Sequence, residues 1–238
     1  MNLDSKIAIV TGASKGIGAE FSRMLVHNGT EVYGLARSKD KLNELQAELG
    51  DAFHPVVMDI TKPEALEKWV SKTFGRNHQP DILINNAGVM YSDNVDDLSL
   101  DEWHNMINVN LNGVFYLTRL IVPVMKENEN VCHIINIASI AGLLGNPSIS
   151  GYNASKFGVR GFSEALFKEL RYDGIKVTAV FPGSINTDLF DKIEGMENHP
   201  NMMKTTDISS TVKFLLETDD NYLINEITMR PLNPKDPS

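Results

Sequence analysis

Short aliphatic and β-branched runs alternate along this chain with longer segments whose apolar residues recur every three or four positions. Lys6-Ile-Ala-Ile-Val-Thr11 reads as a buried strand. Residues 20–28 carry Phe21, Met24 and Leu25 at helical spacing, and Gly29 ends that helix. The pattern then predicts a strand over 31–36, a helix over 39–49 closed by Gly50, a strand over 53–58 and a helix over 63–74 with Pro63 in its first turn. A fourth strand is expected over 81–85 and a long helix over about 100–126. A fifth strand over 131–138, a second long helix over 150–173 and a sixth strand over 175–181 follow. After a polar stretch rich in Met, Asn and Pro come a helix near 207–217 and a last strand over 224–229.

Strand and helix alternating over the whole length imply parallel strands joined by right-handed crossovers. Helices cover both faces of such a sheet, so its strands read as continuous apolar runs. The expectation is one α/β domain spanning 1–238, a doubly wound, parallel, seven-stranded sheet with its ligand at the carboxyl ends of the strands.

Composition narrows the function. The 42% hydrophobic and 22% charged residues are those of an ordinary globular protein. Lys plus Arg number 22 against 31 Asp plus Glu, a formal charge of −9, which argues against a nucleic-acid binder. Cys132 is the single cysteine, so no disulfide forms within the chain, and its apolar strand makes it a small buried hydrophobe. The first residues lack the basic start and long apolar core of a signal peptide. The longest apolar candidate, 134–144, is broken by Asn136 and Ser139, far short of the roughly 18 residues of a membrane helix. A cytoplasmic location without membrane contact is expected. The six histidines show no pair at metal-ligand spacing, so no metal is expected.

The first strand ends in Thr11-Gly12-Ala13-Ser14-Lys15-Gly16-Ile17-Gly18. Gly12 permits a tight turn, Gly16 lets backbone approach a pyrophosphate, and Gly18 lets the new helix lie close to the sheet. The helix N-terminus adds free N–H groups and a positive dipole end. The Gly-x-x-x-Gly-x-Gly spacing, Asn85-Asn86-Ala87-Gly88 after the fourth strand, Ser139 after the fifth, Tyr152-x-x-x-Lys156 on the next helix and Pro182-Gly183 after the sixth appear in that order. With them the chain resembles the short-chain dehydrogenase/reductase family over essentially its whole length. The resemblance implies a Rossmann-type fold and a nicotinamide cofactor.

In such folds an acid ending the second strand holds the ribose of NAD, and a nearby cation accommodates the 2′-phosphate of NADP. Here Ala36 is neutral, Arg37 follows it, and Lys15 adds a second cation, which favours NADP over NAD. The resemblance implies further cofactor contacts. Asp59, followed by Ile60, would bond the adenine amino group, and Asn86, with Ala87 and Gly88, would line the adenosine ribose. In Pro182-Gly183-Ser184-Ile185-Asn186-Thr187, the backbone of Ile185 and the hydroxyl of Thr187 would hold the nicotinamide carboxamide. Ser14 and Ile17 of the glycine turn belong to the same set.

Tyr152 and Lys156, four apart, share one helix face. By resemblance Tyr152 is the general acid/base, Lys156 lowers its pKa and holds the nicotinamide ribose, and Ser139 polarises the substrate carbonyl. A free tyrosine, at about 10, titrates too high for work near neutrality, so a lowered value is expected. Asn110, in Asn110-Leu-Asn-Gly113, is the implied fourth member, relaying through water to Lys156, with Asn108 and Asn112 as neighbouring alternatives.

The implied activity is NADP(H)-dependent interconversion of a ketone or aldehyde with an alcohol, on a hydroxy acid, a hydroxy amino acid or a simple carbonyl. A 3-oxoacyl-[acyl-carrier-protein] reductase is the alternative within enzymes. Against it stand the ending Asn225-Glu-Ile-Thr-Met-Arg-Pro231 in place of Asp-Gly-Gly, and the negative charge facing an acidic carrier. A catalytically silent NADP sensor is the alternative of another class. Residues 196–203 are expected to form a lid, and the long helices at Leu100 and Ser150 a homodimer or homotetramer interface.

Overall fold

The computed structural model describes residues 1–187 and 199–233. Among them seven strands form one sheet: β1 Ile7–Thr11, β2 Glu31–Ala36, β3 Phe53–Val57, β4 Ile82–Asn85, β5 Cys132–Ile137, β6 Ile175–Pro182 and β7 Glu226–Met229. Their order is β3-β2-β1-β4-β5-β6-β7, and every pairing is parallel. The expected doubly wound α/β sheet is therefore present. The step from β3 back past β1 to β4 makes a topological switch, and a crevice opens there at the carboxyl ends.

Side-chain alternation assigns the two faces. Ala8, Val10, Ile82, Ile84, Ile135 and Ile137 pack with Phe21 and Leu25 of α1 (Gly16–His27), Leu42 and Leu45 of α2 (Lys39–Leu49) and Val212 and Leu215 of α7 (Thr205–Glu217). The alternate residues Ile9, Leu83 and Ile134 pack with Leu66 of α3 (Pro63–Thr73), Leu117 and Ile121 of α5 (Gly113–Met125) and Leu166 of α6 (Ser150–Leu170). A period of two places successive strand residues on opposite faces, and both faces here are buried.

Between the layers the strand ends are pinned by a satisfied polar network. Asn85 donates to Thr118 Oγ1 at 3.1 Å and to Asn136 Oδ1 at 2.8 Å, and Asn136 donates to Ser163 Oγ at 2.9 Å. All four are buried, so a register slip would orphan several polar atoms at once.

Several element bounds differ from the sequence expectation: α6 gives way to a tighter turn at Arg171–Asp173, β7 begins only at Glu226, and three further helices differ for visible reasons. α1 begins at Gly16, four residues early, because the glycine turn itself opens the helix. The expected helix over 100–126 is divided into α4 (Leu100–Ile107), a π turn at Asn108–Asn112 and α5. The Gly113 N–H reaches Asn108 O, and the buried Asn110 side chain is tied to neighbouring segments rather than lying on a helix surface. α7 starts at Thr205, because the Asp207 carboxylate accepts from the Lys204 N–H at 2.7 Å and caps the turn.

Candidate active site

The turn after β1 is knotted to the end of β4. Thr11 Oγ1 accepts from the N–H groups of Asn86 (2.9 Å) and Ala87 (3.0 Å), and Asn86 Nδ2 donates back to Thr11 O at 2.9 Å. A Cβ on Gly18 would stand 2.2 Å from Gly12 O, so only glycine allows α1 to start this close to the turn. Gly16 has φ +56° and faces Thr187, whose Cγ2 would lie 3.7 Å from an added Cβ. The segment after β6 thus comes over the N-terminus of α1. That terminus, with Lys15 at the N-cap position, has no side-chain cap and no acid in its first turn. Ser14 and Ile17 are half-buried in the same turn.

Beyond β3, Asp59 Oδ1 accepts from Thr61 N–H (2.9 Å) and Thr61 Oγ1 (2.8 Å). Burial opposes the charge of Asp59, but those two bonds and the nearby cations Arg37 and Lys62 hold its pKa below the ordinary carboxylate value. Arg37, exposed at the end of β2, lies within electrostatic reach of Asp59. Ile60 packs on the start of α5, where a Cβ on Gly113 would come within 2.7 Å of Ile60 Cδ1.

The third group gathers beyond β5. Ser139 follows the strand and caps a short turn, Ile140–Gly142, its Oγ accepting from Ala141 N–H at 3.1 Å. Tyr152 and Lys156 project from the first two turns of α6, both buried, with Lys156 Nζ 5.6 Å from the Tyr152 ring centre. Lys156 donates to Ile137 O at 2.9 Å. Burial pushes its pKa down to about 8. Burial also pushes the Tyr152 phenol up to about 12, the Ser139 hydroxyl pulling the other way. The direction is the reverse of the lowering expected from the sequence, because loss of water outweighs the hydrogen bond with Ser139.

Asn110 stands within the π turn. Its Oδ1 accepts from Val89 N–H at 2.8 Å, and its Nδ2 donates to Val89 O (2.8 Å) and Ser155 Oγ (3.0 Å). The Asn110 Oδ1 and Lys156 Nζ both approach Gly88, at 3.4 and 3.6 Å from an added Cβ. Asn110 therefore shares the neighbourhood of Lys156, with its side chain engaged on Val89 and Ser155. Asn112 donates to Asn108 Oδ1 at 2.8 Å, so the two alternatives pair with each other.

After β6, Gly183 N–H reaches Met229 O at 2.7 Å, fixing the Pro182-Gly183 turn to β7. Ile185 is buried and bridges Met203, with Asn186 N–H donating to Met203 O at 2.9 Å. The expected lid over 196–203 lies outside the described residues up to position 198. Two residues that sequence patterning did not single out for a role are Thr11 and Asn153. Thr11 is visible only as the residue in front of the glycine turn, and the partners of Asn153 come from a loop that has no periodicity.

The donor set fits a dinucleotide: a helix N-terminus without a side-chain cap, a glycine turn whose Gly16 lies against Thr187, a carboxylate with Oδ2 outside its Thr61 bonds, and a cation within electrostatic reach of it. Among the described residues no group of three or more His, Cys, Asp or Glu side chains is placed to hold a metal. No helix among them is long and apolar enough to cross a membrane.

Known proteins give the same picture. The family model described as short chain dehydrogenase matches residues 6–198. An uncharacterized oxidoreductase of Staphylococcus aureus is 36% identical over 234 residues, 97% of this chain and 99% of that protein. A serine dehydrogenase solved in its closed form with NADP+ superposes with a TM-score of 0.86 at 29% identity, covering 94% of each chain. The 3-ketoacyl-(acyl-carrier-protein) reductase of Brucella melitensis, complexed with NADH, gives 0.88 at 27% identity, covering 98% of this chain and 100% of the other. With this fold, this crevice and these relatives, the chain belongs to the short-chain dehydrogenase family of oxidoreductases.

Proposed function

We propose that the protein interconverts a small ketone or aldehyde with its alcohol, with NADP(H) as the cofactor. The observation that carries the reading is the convergence of Ser139, Tyr152 and Lys156 at the carboxyl end of β5. The crevice above the glycine turn would hold the nicotinamide cofactor, which when bound would supply hydride for the carbonyl carbon or accept it from the alcohol. Ser139 donates to the carbonyl oxygen and polarises it. Tyr152 delivers its phenolic proton to that oxygen as it becomes an alkoxide, and recovers it in the reverse direction. A phenol held at about 12 stays protonated at neutral pH and so has its proton ready to donate. Lys156 holds the ribose and favours the phenolate formed once the proton has left. Asn110 ties Val89 to Ser155, the residue before Lys156, and is assigned the relay through water to Lys156.

Arg37 beside Asp59, the neutral Ala36 and Lys15 at the start of α1 support NADP over NAD. The carboxamide is assigned to Ile185 and Thr187, the latter facing Gly16. Hydroxy amino acids are favoured as a substrate class by the likeness to serine dehydrogenase. The likeness to the 3-ketoacyl reductase favours a thioester as the second reading, with the charge of −9 against an acidic carrier. A silent sensor is disfavoured by the complete catalytic set. We assign the chain as a single domain and a cytoplasmic homo-oligomer. The exposed Trp103, Phe115 and Phe157 on α4, α5 and α6 support the pairing, which sedimentation reads directly.

The test is NADPH oxidation, with NADH beside it, over simple ketones, diketones, a 3-oxo acid, an aldehyde and an acetoacetyl thioester. Tyr152→Phe should lower kcat by about 10²–10⁴. Tight NADPH binding without turnover across a wide panel would sink the reading and raise the sensor in its place.

A further inference from the structure

Between Ser139 and α6 runs an exposed loop whose main chain is held from below by one side chain. Asn153 Nδ2 donates to Ala141 O and Leu144 O, each at 2.6 Å, and Asn153 Oδ1 accepts from Asn146 N–H at 3.1 Å. Asn153 itself is buried at 7% exposure, while Leu144, Gly145 and Asn146 are exposed. The near end of the loop is also fixed, because a Cβ on Gly142 would meet Lys156 O at 2.7 Å. Only a carboxamide offers two donors on one side and an acceptor on the other at this reach. Aspartate would turn two carbonyls against an anion, and glutamine would carry one methylene too many.

Asn153 directly follows Tyr152, so one turn of α6 sets both the phenol and the height of the loop above it. We propose that Asn153 is the positioning residue of the substrate-reading loop 140–146, setting which carbonyl substituents fit beside Ser139 and Tyr152. The loop presents Leu144 to solvent, and under this proposal the fork sets how long an apolar arm the substrate can carry. The inference rests on the reading that Ser139 and Tyr152 flank the reacting carbonyl.

The test compares wild type with Asn153→Asp, which keeps the shape, and Asn153→Ala. Two measurements are made: the ratio of kcat/KM for two ketones differing only in the length of one alkyl arm, and amide exchange over 140–147 against β5 and α1. The loss of both donated bonds in Asn153→Asp, and of all three in Asn153→Ala, should change the ratio about tenfold and speed exchange in the loop alone, with NADPH affinity held within about twofold. An unchanged ratio with slow loop exchange overturns the proposal, as does faster exchange spread equally over β5 and α1. If the wild type turns over no carbonyl, the proposed reaction falls. Loop exchange then judges Asn153 by itself: faster in 140–147 alone supports the fork, and unchanged refutes it.

Discussion

Asn110 grips Val89 by both main-chain groups, accepting from its N–H and donating to its carbonyl, each at 2.8 Å. The same amide nitrogen reaches Ser155 Oγ at 3.0 Å, so the π turn, the segment after Gly88 and α6 meet on one side chain. Irregular turns of this kind inside a helix often mark functional sites. Here the turn lets an asparagine act as a strut within an otherwise apolar layer.

Asn110→Ala removes all three bonds and leaves the main chain of half-buried Val89 without its side-chain partner, while the buried Ser155 hydroxyl keeps its bond to Tyr152 O. Each orphaned group costs on the order of 1–3 kcal/mol, partly relieved by water, so the variant should lose about 2–4 kcal/mol in denaturant unfolding. Activity should fall further than Tm accounts for, because Lys156 approaches the same Gly88 backbone. A variant with full stability would show that the grip on Val89 does not bear on the fold.

Lys156 gives a pH dependence with a definite sign. Its folded pKa is about 8, against 10.5 for the free side chain. The unfolded chain therefore binds more protons between those values, and stability rises with pH across that window. The Tyr152 phenol does the opposite. Raised to about 12 from 10.0, it adds stability below pH 10 that is lost as the pH climbs towards 12. Lys156→Met should lack the first effect. The wild type should gain about 3 kcal/mol on the variant between pH 8 and pH 10.5, read as the difference of two unfolding curves at each pH. A constant difference would mean that the ammonium is not desolvated in the fold.

The strand and helix alternation and the glycine turn were legible because each rests on local pattern: β-branched runs, apolar spacing and a glycine that must have φ +56°. The proposed catalytic triplet was legible as ordered motifs, not as geometry, since the approach of Ser139 to Tyr152 depends on the crossing of β5 and α6. The split of the helix over 100–126 was hidden. Its cause, the tie from Asn110 to Val89, lies in another segment and leaves no mark on helical periodicity. The pKa direction of Tyr152 was misread for a related reason: motif reasoning counts neighbouring charge, and burial is a property of the whole fold.

His133 points to acid sensitivity away from the site. It is buried in β5, its Nε2 2.8 Å from Thr178 Oγ1, and that hydroxyl donates to Ile224 O at 2.7 Å. The imidazole must then carry its proton on Nε2, which leaves Nδ1 without a hydrogen-bond partner. Burial and Lys176 push its pKa down from 6.5 to about 3. As pH falls from 6.5 towards 3, the unfolded chain takes up a proton that the folded chain refuses, and stability is lost across that window. His133→Gln, whose amide can still reach Thr178, should unfold along a shallower acid limb. Equal acid midpoints for the two proteins would refute this.

Arg37 tests the cofactor choice. It is exposed at the end of β2 and lies close enough to Asp59 to help keep that carboxylate ionised. On the proposed reading, a guanidinium there would meet the 2′-phosphate of NADP with a charge-assisted fork, and would meet nothing charged on the ribose of NAD. Arg37→Ala should therefore raise the Kd for NADPH by about tenfold and leave NADH within about twofold, with the gap shrinking as salt is added. Ala36→Asp on the same background should go further, since a carboxylate would accept from the ribose hydroxyls and repel the phosphate. Fluorescence titration of both reduced cofactors at two ionic strengths reads all of this without a substrate. Equal weakening of NADPH and NADH would place Arg37 on the shared part of the dinucleotide and remove the argument for NADP.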